Sequence, residues 1–110
     1  MIKDDKLKVL EPIGPATDIA VAEGAVVSRT LVEGAGGTVT LFSFDKGQSL
    51  SKHSAPFDAV VAVAEGELEL VIGDKTVVLG AGKLVVMPAD VPHALKALLP
   101  TKMLLTMLKP

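Results

Sequence analysis

Cysteine, tryptophan and tyrosine are all missing from the chain, and its aromatic content is limited to Phe42, Phe44 and Phe57. Without cysteine there is no disulfide framework and no thiolate to serve as nucleophile or metal ligand. An intracellular, cytoplasmic setting is expected. Charge of one sign is also scarce: 13 acidic against 11 basic side chains leave a net charge of −2, with no basic run. That balance, with so few aromatics, excludes a nucleic-acid groove. No apolar stretch approaches the roughly 18 uninterrupted residues of a membrane span. The opening MIKDDKLKVLEP has no apolar segment of the kind that directs secretion. Neither nucleic acid nor a membrane is an expected partner.

Apolar side chains are what the chain has in quantity, 49% of its 110 residues. A domain of this length buries one core and not two. The surplus points to a self-association face, and a homodimer is expected, with N-terminal strand segments exchanged between the copies. Residues 1–18 mix charge and proline and read as an N-terminal arm that orders by docking; residues 19–110 read as the domain proper. From there on, glycine and proline separate short runs: AVVSRTLVE, GTVTLFSFD, DAVVAVAEG, ELELVI, KTVVL, LVVMP, HALKALL and KMLLTMLK. Even spacing without a helical stretch predicts an all-β sandwich or barrel. The sharpest local feature is LELVI-GD-KTVVL, where Gly73-Asp74 suits a primed hairpin turn. That turn pairs Leu70 with Val77 and Leu68 with Leu79 on one face, and sets Glu69 opposite Val78 on the other. AVVAVA (59–64) is apolar on both faces, so it is expected to be covered on both, by the lumen and by a second sheet or subunit.

Two spacings carry chemistry. Gly47, His53, Ala55, Ala59 and Gly66 keep the intervals G-x5-H-x-H-x3-4-E-x6-G, and Gly82, Pro88, Asp90, His93 and Ala97 keep those of G-x5-P-x-G-x2-H-x3-N. These are the two motifs of the cupin superfamily, and the chain resembles its small single-domain members over about residues 37–97. The resemblance implies a double-stranded β-helix, the jelly-roll barrel of two sheets. In metal-binding cupins it also implies four protein ligands, two histidines and a glutamate from the first motif and a histidine from the second. By position His53 and His93 remain, and Ala55 and Ala59 replace the other two. A methyl group has no lone pair, and divalent iron, manganese, nickel or zinc commonly takes three or more protein ligands. No cofactor is therefore expected. The alternative is one of those divalent ions (Fe, Mn, Ni or Zn) on His53 and His93. Asp58 adjoins the lost glutamate position, but strand alternation turns it away from the lumen unless a bulge shifts the register. Gln48 is the other candidate to reach inward.

Remaining features have structural readings beside functional ones. Met103, Leu105 and Met107 share one face of the last run, as core filler or as an adaptable wall. Phe42 and Phe44 share a face and suit core or cavity equally. Arg29, the single arginine beside ten lysines, is expected in a solvated position, with a bidentate carboxylate contact at an interface as the alternative. Ser49, Ser51 and Ser54 lie near His53 and Asp58, but closeness in sequence is not the geometry of a triad, and no catalytic residue is assigned. The expectation is a cupin-type barrel that binds a small, largely apolar molecule, with His53, His93, Met87 and Leu95 as ligand contacts. It leans away from an enzyme. The alternatives are a metal-dependent dioxygenase, isomerase or decarboxylase, and a non-catalytic interaction or scaffold domain.

Overall fold

The computed structural model describes residues 1–3 and 10–110. The expected arm (1–18) falls partly on residues 4–9, which lie outside the described residues. Ten strands and no helix are found among the described residues: β1 (Ile2–Lys3), β2 (Val26–Gly34), β3 (Gly37–Phe44), β4 (Ser49–His53), β5 (Asp58–Glu65), β6 (Glu67–Ile72), β7 (Lys75–Gly80), β8 (Leu84–Met87), β9 (His93–Ala97) and β10 (Thr101–Leu108). The eight runs read from the sequence correspond to β2, β3 and β5 to β10. They form a six-stranded sheet in the order β1-β2-β3-β10-β5-β8 and a four-stranded sheet in the order β4-β9-β6-β7. This is an all-β jelly-roll barrel.

Period-two alternation builds the core. On β5, Ala59, Val61 and Val63 face inward and are buried, while Val60, Ala62 and Ala64 are only half-buried. Opposite them stand Leu68 and Leu70 of β6 and Leu95 and Ala97 of β9, joined by Phe42, Phe44 and Met103. Each large side chain so buried stabilises the fold by roughly 1.5–3 kcal/mol. The β6–β7 hairpin has the expected register, Leu68 with Leu79, Glu69 with Val78 and Leu70 with Val77. Its turn has Gly73 at φ 62°, as a primed turn with glycine at the first central position requires.

Gly66 is the corner where the chain leaves the six-stranded sheet for the other. It alone separates β5 from β6, and its φ is 92°. A Cβ there would run into the Pro100 carbonyl and into Thr101.

Residues 13–22 lie across the outer face of the larger sheet. Ile13, Ile19 and Ala22 pack on Val27, Leu31, Leu41 and Leu104. Three outward side chains tie this segment down through its carbonyls: Arg29 Nη1 donates to Asp18 O at 2.6 Å, Ser43 Oγ to Ala20 O at 2.8 Å, and Lys102 Nζ to Ala16 O at 2.5 Å. Arg29 is thus not solvated as expected but 8% exposed. It stands on β2 beneath the crossing segment, where a desolvated cation needs a polar partner. Beyond the segment, no described residue covers an uncharged row of the outer face. Val32, Val39, Thr106, Val60 and Val86 form one cross-strand row over β2, β3, β10, β5 and β8.

Candidate functional site

Between the sheets lies a cavity of about 300 Å³. The larger sheet lines it with Phe42, Ala59, Met87, Met103, Leu105 and Met107, the smaller with Leu50, His53, His93 and Leu95, and the β4–β5 loop adds Ala55 and Phe57. All four residues expected to contact a ligand, His53, His93, Met87 and Leu95, are in this wall. Ala59 stands between Met107 of β10 and Met87 of β8 in one cross-strand row, so two thioethers flank a methyl group.

His93 reaches the cavity by simple alternation, two residues before Leu95. His53 reaches it by an irregularity. On β4, Leu50 pairs with Leu95 and His53 with His93, so three residues of β4 span what two span on β9. Strict alternation from Leu50 would send His53 outward; the extra residue bulges the strand and turns it in. The loop holding His93 is set by Asp90, whose φ is 64°. It occupies the second motif's glycine position, and aspartate is one of the few other residues that tolerates a left-handed backbone. Its amide donates to Ala55 O at 2.8 Å, which ties the two motif loops together.

The two imidazoles touch. Their Nε2 atoms are 3.1 Å apart, with ring centroids at 4.3 Å and planes inclined at 72°. His53 Nδ1 faces the Ser51 carbonyl at 2.7 Å, and His93 Nδ1 faces the Val91 carbonyl at 3.2 Å. His93 is buried, whereas His53 is exposed at the cavity mouth. Burial pushes His93 below the ordinary histidine value; the Val91 carbonyl pulls the other way, and the neighbouring His53 adds to the lowering.

The residues present do not fit the divalent-metal set that the resemblance implies. Ala55 and Ala59 stand in the cavity wall and offer methyl groups. Asp58 turns outward, its Oδ1 accepting from Ala89 N at 2.9 Å. Gln48 does not reach the lumen; it borders a wide surface cleft beside Met1, Ile2 and Gly24. Among the described residues, no three His, Cys, Asp or Glu side chains cluster as a metal would need. Leu50 and Phe57 are wall residues that sequence reasoning missed. Leu50 sits in SLSKH, where four of five side chains are polar, and Phe57 follows a proline in a loop, so neither shows periodicity.

The profile of the cupin domain matches residues 40–107. No curated protein matches the chain. Among solved structures, it is similar to a conserved protein of unknown function from Streptococcus pyogenes, at 34% identity and TM-score 0.91, covering 100% of this chain and 96% of that one. A cupin superfamily protein from Desulfitobacterium hafniense matches at 27% identity and TM-score 0.88, over 94% of this chain and 95% of that one. A cupin 2 conserved barrel domain protein from Leptotrichia buccalis matches at 38% identity and TM-score 0.82, over 86% of this chain but 46% of its own length. With its ten-stranded barrel, its two motif loops and a family match over more than half its length, the chain belongs to the cupin family.

Proposed function

We propose that the chain binds a small, largely apolar molecule in its lumen, with His53 and His93 as polar anchors and without a tightly held metal. The observation that carries this reading is the cavity wall, in which every side chain except the two imidazoles is apolar. Its volume of about 300 Å³ meets the lower bound for small-molecule sites, and three thioethers let the wall adapt to a ligand's shape. Titrating 1-octanol into protein labelled at methionine methyls tests it. Shifts at Met87, Met103 and Met107 with none at Met1 are expected; shifts confined to Met1, or none at all, would overturn the reading. The competing reading is a metal-dependent enzyme, and about one iron, manganese, nickel or zinc per chain in protein purified without chelators would favour it.

The same proposal includes a homodimer and a cytoplasmic location. The row Val32, Val39, Thr106, Val60 and Val86 is uncharged, and Val86 and Leu84 are 55% and 63% exposed. A second copy related by a two-fold axis would meet this row with no charge from the row itself. A differently charged partner would find no complement there.

A further inference from the structure

The cross-strand row Met107, Ala59 and Met87 forms a slot of defined width. Met107 of β10 and Met87 of β8 pair with Ala59 from its two sides, and residues so paired stand about 5 Å apart. All three line the cavity, and strand side chains rise roughly perpendicular to their sheet. A floor one methyl high therefore runs between two thioethers, each about 5 Å to one side of it. A favourable thioether–aromatic contact places the sulfur about 5 Å from the ring, often at the ring edge. A ring laid on the Ala59 methyl thus meets a sulfur at each of two opposite edges. Leu50 and Leu95, in the wall formed by the smaller sheet, supply apolar contact for its other face.

The slot lies at the imidazole end of the lumen. Ala59 is the second residue of β5 and Met87 the last of β8, so they adjoin the two motif loops, which the Asp90 N to Ala55 O bond joins. His53 ends the strand before the first loop, and His93 begins the strand after the second. Whichever nitrogen carries its hydrogen, an imidazole can hydrogen-bond a neutral oxygen function. Among the described residues, the wall holds no Asp, Glu, Lys or Arg, so a charged group carried into the lumen would be costly to bury there. The volume of about 300 Å³ is twice the roughly 150 Å³ that holds benzene in an apolar cavity, which leaves room for a ring and a short chain. We propose that the ligand is a neutral, single-ring aromatic molecule with one oxygen function on a short chain, its ring in the Met107–Ala59–Met87 slot and its oxygen at the imidazole pair. This rests on the lumen reading above and names the ligand class for it. A saturated alcohol of equal size presses on the same wall but gives the two sulfurs no aromatic edge.

Calorimetric titration of the full chain with 3-phenyl-1-propanol and with 3-cyclohexyl-1-propanol tests the assignment, because the two share chain and hydroxyl and differ in the ring alone. Burial by itself favours the cyclohexyl compound, the more apolar of the two. The phenyl compound is nevertheless expected to bind at least about threefold more tightly, through its contacts with the two sulfurs. Equal or weaker binding of the phenyl compound would overturn the aromatic assignment and leave the lumen reading standing; binding of neither would remove both. Met87→Leu combined with Met107→Leu, a nearly volume-conserving exchange that the core tolerates, is expected to abolish the preference. A preference unchanged in that variant would overturn the slot, since the discrimination would then lie elsewhere. Alanine methyl shifts of the unaltered protein give a test that needs no variant. An upfield ring-current shift of the Ala59 methyl with the phenyl compound, and none with the cyclohexyl one, is expected. No such shift on saturation would overturn the placement of the ring.

Discussion

Two alanines decide what this lumen offers. Ala55 and Ala59 both line the cavity, so ligand side chains placed there would point at the imidazole pair. Ala55→His combined with Ala59→Glu is expected to raise affinity for Zn²⁺ or Mn²⁺ by at least about a hundredfold, as two further donors complete a four-ligand set. Calorimetry measures it, and no gain would mean that these two backbone positions are not aimed as their methyls suggest. His93 governs a second behaviour. Its folded value lies below the ordinary one because of burial, so the native chain binds fewer protons there than the unfolded chain. That stability is fully present above about pH 6.5 and is lost as pH falls through the folded value. Urea midpoints should therefore drop on mild acidification, and His93→Gln should flatten that part of the curve. At this scale the sequence showed which residues faced the lumen but not how they met. His53 and His93 were legible through motif spacing. The carbonyls of Ser51 and Val91 that orient them were not, because backbone partners leave no mark on residue identity. Arg29 misled for a related reason: nothing in its own strand announces the segment that crosses over it.

Strands announced themselves when one face was apolar and a turn residue bounded them. The β6–β7 hairpin met both conditions, and its register was readable in full. β4 met neither. Its SLSKH carries a single large apolar residue, and its one inward histidine arrives through a bulge that breaks the alternation on which such readings rest. Between elements, Gly66 carries the sharpest constraint. A side chain there faces both a left-handed φ and the Pro100 backbone. Gly66→Ala should destabilise the barrel by more than about 2 kcal/mol, combining backbone strain with a clash that a rigid carbonyl cannot relieve. Chemical denaturation would report it as a lowered midpoint at constant slope, and a loss below 1 kcal/mol would show that the corner can shift.

For the whole molecule, the apolar surplus that composition alone could only count divides between an outer row that no described residue covers and the inner core with its cavity wall. Val86→Lys places a charge on the uncovered row, at a side chain already 55% exposed. If the proposed dimer uses this row, sedimentation should show the variant as a monomer and the unaltered chain as a dimer, with the fold retained in both; an unaltered chain that is already monomeric at tens of micromolar would refute the dimer. Such an interface should bury roughly 2,000 Å² or more in total if it is obligate. The strand order has a consequence of another kind. β10 (Thr101–Leu108) is the final strand in the chain yet sits between β3 and β5, at the middle of the larger sheet. Until it emerges from the ribosome, β3 and β5 have no common neighbour, and Phe42, Phe44, Val61 and Val63 lack the Met103 strand that joins them. Pairing across such long sequence separations is slow and leaves apolar edges open meanwhile. The larger sheet therefore cannot close before β10 has been made, however early the other strands pair.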